Sequence, residues 1–377
     1  MKRSVRRELV WTVLLLSTLV TAGANGKQAL KLIERHPTPE NIPEITDPRF
    51  ILRENPKSTF LDEGAYETIT IGVAEGEFHE MFGEVADVAA MGDGTLLVLD
   101  SENQEVRVFD YNGLLLGTFG QPGEGPGEFR NSPRHLSVAD QRKVVFAVGF
   151  SRFIVGFERQ DATTFTPKVT FPTGLTGSAG CAMNGYFWYL GYTSAETQGV
   201  LHKFTYKGER VASFLDFYKS PRIYISHRMS RQGSIACSEA HGIIALNRVN
   251  APVVTGYKEN GEIAWQVRLA DLDPIHYAEY SGRAWGWDRP KRGQGMIRSL
   301  FTDSTGDFYV QYMIAKGNGF DSIPDYGPLF KIDALTGEGA YLGHAPPVKD
   351  IDAGYVFSAS NDPFPRVVIY KPQAGSN

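Results

Sequence analysis

Across 377 residues there are two cysteines, five tryptophans and eight histidines, and no stretch carries the 3.6-residue apolar period of a long helix. Two thiols exclude a disulfide-framed mini-domain, and with no CxxC or HxxxH near them they do not make a metal centre. Positive charge is also short: 38 Lys and Arg against 43 Asp and Glu leave a net charge of −5, a poor basis for gripping nucleic acid. HExxH, an EF-hand loop and a Ser/His/Asp elbow are absent, and no glycoside-type carboxylate pair stands out among the acidic residues. Beyond the N-terminal segment no apolar run approaches the roughly 20 residues of a membrane span.

That N-terminal segment has its own texture. Lys2, Arg3, Arg6 and Arg7 precede an apolar run from Leu9, and Ala22-Gly23-Ala24 offers small residues for cleavage. Residues 1–24 therefore read as a signal peptide, too short for a spanning anchor and without a cysteine to lipidate. The expected location is periplasmic or extracellular. Arg6-Arg7 leaves both the general and the twin-arginine export routes open. Losing four basic residues and Glu8 takes the net charge from −5 to about −8. Residues 25–63, with Pro37, Pro39, Pro43, Pro48 and Pro56, read as an extended lead-in wrapped on the surface or mobile.

From Tyr66 onward short apolar alternations recur between Gly, Asn and Asp turns. Aromatic residues stand four positions before a turn residue at Phe109/Gly113, Phe157/Asp161, Phe204/Gly208 and Tyr257/Gly261, with a longer turn ending at Gly337. The spacing is about 50 residues, the length of a four-stranded propeller blade. A partner hairpin precedes each turn, giving five complete units. A sixth, "VKDIDAGYVFSAS" and "RVVIYKP", stops one strand short, while "YETITIG" (66–72) stands unpartnered before the first. The sequence thus predicts an all-β, six-bladed β-propeller over 64–372, its last blade closed by an N-terminal strand, with a tail at 373–377.

The densest glycine cluster, "GQPGEGPGEF" (120–129), lacks the helix that a phosphate-cradling loop needs on its C-terminal side, and Glu124 and Glu128 would repel phosphate. It reads as a crossover between blades. Together with Asp100-Ser101-Glu102-Asn103, "VRVFDYNGLLLGTFG" and "SPRHLSV", it resembles NHL-type repeats. The likeness is closer to exported bacterial six-bladed propellers in which a G-x-GPGE-aromatic loop links blades. The resemblance covers roughly residues 66–160 and implies fold rather than function.

Two constellations are candidate sites. Oversized connections at 217–232, 270–296 and 315–328 serve the fourth and fifth blades, and the middle one carries Tyr280, Trp285 and Trp287 among Arg and Lys, suited to stacking on a peptide, protein or carbohydrate. A lid that merely covers the blade edge is the alternative. Near the starts of first strands, alignment sets Asp87 opposite His135, next to Arg134. His79, His227 with Arg228, and His344 also precede first strands, so histidines could converge at the mouth of the central channel. The favoured function is a binding module acting through its loop-rich face, as a monomer without a cofactor. The alternative is a lactonase or lyase using one divalent metal, Ca or Zn. Cys181 and Cys237 are expected as two buried side chains on neighbouring strands, with a disulfide the less favoured reading.

Overall fold

The computed structural model describes residues 31–34, 43–45, 60–61, 64–149, 152–192, 199–218, 223–248, 251–269, 272–280, 284–287, 294–315 and 326–373. The expected signal peptide lies outside them.

Each hairpin turn named above folds a four-stranded antiparallel sheet. Blade one runs Val85–Ala90, Thr95–Asp100, Glu105–Asp110 and Leu115–Phe119. In its last turn Asp110 accepts the Asn112 and Leu114 N–H groups, and Gly113 adopts a φ of 86° that a side chain would oppose. Blade two begins at Pro133–Ala139, blade three at Thr176–Met183, blade four at Gly233–Ser238 and blade five at Gln294–Thr302, and each continues through three more strands in sequence order. Blade six has Val348–Asp352, Tyr355–Ser360 and Arg366–Pro372, and its fourth strand is Tyr66–Ile71. Those two terminal strands pair residue for residue from Tyr66↔Pro372 to Ile71↔Val367. The architecture is a six-bladed β-propeller.

The first strands touch one another around a closed ring, one through two, three, four, five and six back to one, and so wall the central channel. Six apolar clusters fill the six seams between blades. Val155, Phe157 and Phe165 of blade two meet Leu97, Val108 and Phe119 of blade one, and Phe357, Val367 and Ile369 of blade six meet Val88, Leu96 and Phe109 of blade one. Because a blade is covered on both faces, its second strand is buried at every position in "TLLVLD" and "VVFAVG", and no polar alternation survives. Outermost strands such as Arg210–Phe214 keep their exposure.

On one face, third-to-fourth turns reach the first-to-second turn of the preceding blade. Tyr111 Oη donates to Asp352 at 2.7 Å, Arg159 to Asp93 at 2.7 Å and Tyr206 Oη to Asp140 at 3.1 Å. The opposite face carries the crossovers. In the 120–129 loop Gly120 has a φ of 76°, and a Cβ there would overlap the Phe129 ring. Glu128 turns inward to accept from Gly125 N and Gln121 Nε2, both at 2.7 Å. The loop connects blade one to blade two.

Cys181 and Cys237 are joined in a disulfide, which corrects the reading of two unpaired thiols. They occupy the first strands of blades three and four. Packing of those inner strands brings the Cα atoms to 5.6 Å, within bonding reach. The lead-in is seen in three places, one on the hairpin between blades four and five and two on outermost blade strands. Lys31–Glu34 pairs with Tyr277–Tyr280, Glu44–Ile45 lies parallel to the last strand of blade four, and Phe60 N donates to His344 O on the last strand of blade five.

Candidate functional site at the channel mouth

The channel encloses a cavity of about 680 Å³, lined by first strands and by the turns that follow them. Near the crossover face Asp87, His135 and Lys349, from blades one, two and six, come together. His135 Nδ1 lies 3.8 Å from Asp87 Oδ2, and Lys349 Nζ lies 3.8 Å from Asp87 Oδ1 while donating to Ala86 O at 2.8 Å. Leu136 N donates to Asp87 at 2.9 Å and fixes the carboxylate across the seam. Enclosure within the ring lowers the His135 pKa, with Lys349 and Arg134 acting the same way and Asp87 opposing them. Half of the imidazole surface nevertheless faces the channel rather than protein. His135 is thus a neutral donor or acceptor at neutral pH, open to a solute.

A second shelf flanks this group. Asp100, fully buried, accepts from Gly83 N, Glu84 N and both nitrogens offered by Asn103. Arg107, also buried, stacks 4.7 Å over Phe82 and donates to Met81 O at 2.7 Å and to Glu105 at 2.7 Å. The Asp-x-x-Asn pattern of the first unit therefore anchors the 78–84 loop, and that loop delivers Glu84 to Arg134 and Ser101.

At the other end of the channel Arg142 donates to Ala90 O at 2.6 Å and lies 3.6 Å from Asp352. Asp350 accepts from Ala90 N and Ile351 N, both at 2.7 Å. Burial raises the pKa of Asp350 to about 7 against the lowering by those N–H groups and by Arg142, with Asp352 adding to the rise.

The remaining candidates lie elsewhere. His227 sits on the nine-residue helix Ile223–Arg231, which packs against blades three and four through Ile225 and Met229, one turn apart. Its ring lies 4.6 Å from Tyr192 and 6.3 Å from Phe217. His344 is buried in the last strand of blade five with Nδ1 2.6 Å from Tyr341 Oη, and the His79 carbonyl accepts from Arg107. The alternative in which histidines converge on the channel is not what these residues show: the helix carries His227 to the rim, and the last strand of blade five buries His344. Among the described residues no three His, Cys, Asp or Glu side chains lie close enough to share a metal ion. The backbone of Tyr280, Trp285 and Trp287 forms the hairpin Tyr277–Tyr280 and Ala284–Trp287 between blades four and five; the side chains of these three and of Arg228 lie outside the described residues.

Lys349, Arg298, Arg142 and Glu84 were not singled out by sequence. Aligning the sixth unit with the first two would have found Lys349, since "VKD" answers "VAD" and "PRH".

No protein-family model matches this chain, and no curated protein matches it in sequence. Among solved structures it is similar to a candidate exported protein of Bacteroides fragilis, at 12% identity and a TM-score of 0.50 over 88% of this chain and 99% of that one. A protein of unknown function from Bacteroides thetaiotaomicron gives 14% identity and 0.49 over 82% and 76%, and the RRP9 WD40 repeats give 9% and 0.49 over 81% and 97%. Among the described residues no helix is long and apolar enough to cross a membrane. At 12% identity the likeness to the Bacteroides fragilis protein is one of fold alone, and the six blades of this chain follow from its own strand pairing.

Proposed function

We propose that this chain is an exported binding module whose recognition face is the one carrying the interblade crossovers. The observation that supports it is the meeting of Asp87, His135 and Lys349, from three blades, at the end of a cavity of about 680 Å³, below the connections that bear the helix and the aromatic hairpin. Convergent polar groups in a concave site are what small-molecule and peptide pockets share. The crossover loop and Asp100-x-x-Asn103 are the features of blade one that favour an NHL-like relation. Export is supported by the basic-then-apolar N-terminus.

Screening the purified chain on glycan and peptide arrays tests this. The expected result is a saturable ligand whose affinity falls at least tenfold in His135→Ala, Trp285→Ala or Trp287→Ala with the melting temperature unchanged. A chain that binds nothing on either array, or a ligand indifferent to all three substitutions, would end this reading.

A further inference from the structure

The crossovers that enter blades one and two share hydrogen bonds that set them in a register their glycines conceal. In the 120–129 loop Gly125 N donates to Glu128 Oε2 at 2.7 Å, and Glu128 N donates to Gly125 O at 3.1 Å. The crossover into blade one repeats both bonds: Glu77 N donates to Glu80 Oε2 and Glu80 N to Glu77 O, each at 2.9 Å. Phe82 takes the place of Phe129, since a Cβ on Gly72 would meet its ring as one on Gly120 would meet that of Phe129. Glu77-Phe78-His79-Glu80 thus stands where Gly125-Pro126-Gly127-Glu128 does, and at the tip of the turn a phenylalanine replaces a proline.

Phe78 is 67% exposed, and among the described residues it is the only aromatic side chain that stands mostly in solvent; Val73 of the same loop is 40% exposed. Single exposed apolar residues are ordinary, but this one is held out by buried charge. Arg107, 1% exposed, donates to the carbonyls of His79 at 3.1 Å and Met81 at 2.7 Å, reaches that of Phe78 at 3.5 Å, and lies 5.7 Å from the centroid of the Phe78 ring. Asp100, 3.6 Å from Arg107, takes the N–H groups of Gly83 and Glu84. In blade two the residue two places before the third-strand aromatic is Val155 rather than an arginine. Burying a guanidinium costs desolvation, and here it fixes the backbone beneath an exposed turn, so the ring is ordered before any contact is made. Glu75 and Glu77 stand exposed beside it, and Glu75, Glu77 and Glu80 with no Lys or Arg give residues 73–80 a charge of −3.

We propose that this loop is a docking knob for a partner protein whose contact surface sets apolar side chains among Lys and Arg. Phe78 and Val73 meet the apolar part, and Glu75 and Glu77 face the cations. The same charge opposes an anionic lipid surface. The proposal rests on the reading of the crossover face as the recognition face and names one kind of partner for it.

Fluorescence anisotropy of the full chain with three labelled peptides tests it: leucine and phenylalanine flanked by lysine and arginine, the same apolar residues flanked by glutamate, and lysine and arginine spaced by serine. Saturable binding of the first peptide alone is expected. Phe78→Ser should weaken it at least tenfold, and Glu75→Gln with Glu77→Gln should weaken it less and flatten its dependence on salt. Melting curves show whether each variant is folded; if Phe78→Ser is not, Phe78→Ala decides. The knob is overturned if the first peptide does not saturate by about 1 mM, the weak end of specific association. It is equally overturned if either control peptide binds as tightly, or if a folded Phe78 variant binds the first peptide unchanged. Self-association in sedimentation that Phe78→Ser abolishes would replace the partner with a second copy, and binding to phosphatidylglycerol vesicles with that sensitivity would replace it with a lipid surface; either overturns the proposal. An array ligand that survives Phe78→Ser but fails in His135→Ala or Trp285→Ala, with the first peptide unbound, would sink the knob alone. A peptide held through Phe78 while no array ligand responds to His135→Ala, Trp285→Ala or Trp287→Ala would keep the knob and end the channel-mouth reading.

Discussion

Two joints of the ring, one between blades and one within a blade, are fastened by opposite means. Between blades three and four the inner strands are joined covalently by Cys181–Cys237. Blade six is closed only by pairing and packing: Tyr66–Ile71 lies on Arg366–Pro372, and Ile69 and Ile71 contribute to the cluster shared with blade one. The strand pairing differs as well. In each of the five blades built from one continuous segment, third and fourth strands slip register beside an aromatic: Phe109, Phe157, Phe204, Tyr257 or Phe330. The split blade shows no slip. The outer bulge therefore belongs to the third-to-fourth hairpin and not to the blade as such. Where no turn connects the strands, the ladder runs straight.

The strongest way to break this comparison is to remove the closing strand. A chain beginning at residue 73 leaves blade six with three strands and an open edge, and the expected outcome is loss of a cooperative melt by circular dichroism, with aggregation. A melt like that of the parent would show that closure through blade six is dispensable. Unfastening the covalent seam should cost less: Cys181→Ala with Cys237→Ala is expected to lower stability by about 2–4 kcal/mol and the melting temperature by several degrees, while the ring stays folded. A double variant that fails to fold would mean that the staple, not the strand exchange, holds the ring.

The smallest effect sharpens the contrast on the blade-six side. The carboxyl of Asp350 has a pKa of about 7 in the folded chain, above the ordinary carboxylate value, so the folded state keeps a proton that the unfolded chain releases near pH 4. Its contribution is full below that lower value and is lost as pH rises through about 7. Asp350→Asn, still able to accept an N–H bond, should therefore gain melting temperature relative to the parent between pH 5 and 8. An unchanged difference between parent and variant at the two pH values would contradict it.

Much of the ring was legible because its signals are local. A Gly or Asp turn four residues after an aromatic marks a hairpin, and a C-terminal unit one strand short, with a spare N-terminal strand, counts blades without any contact being known. The "GQPGEGPGEF" crossover was legible for the same reason. Other features were not, because they depend on what stands opposite in space. Two thiols 56 positions apart carry no mark of pairing until inner strands lie side by side. His227 looks like a channel histidine until the helix Ile223–Arg231 turns it toward Tyr192. Lys349 looks like one more exposed lysine, and a bulge sets it beside Asp87.

The sequence by itself determined the blade count, the order of strands and the closing partner, since hydrophobic period and turn chemistry act over a few residues and repeat. Tertiary structure alone decided which side chains meet in the channel, which cysteines bond and which histidines are withdrawn into seams. Those outcomes turn on one-residue slips in strand register, and a slip is an energetic compromise among neighbouring blades that no single segment encodes.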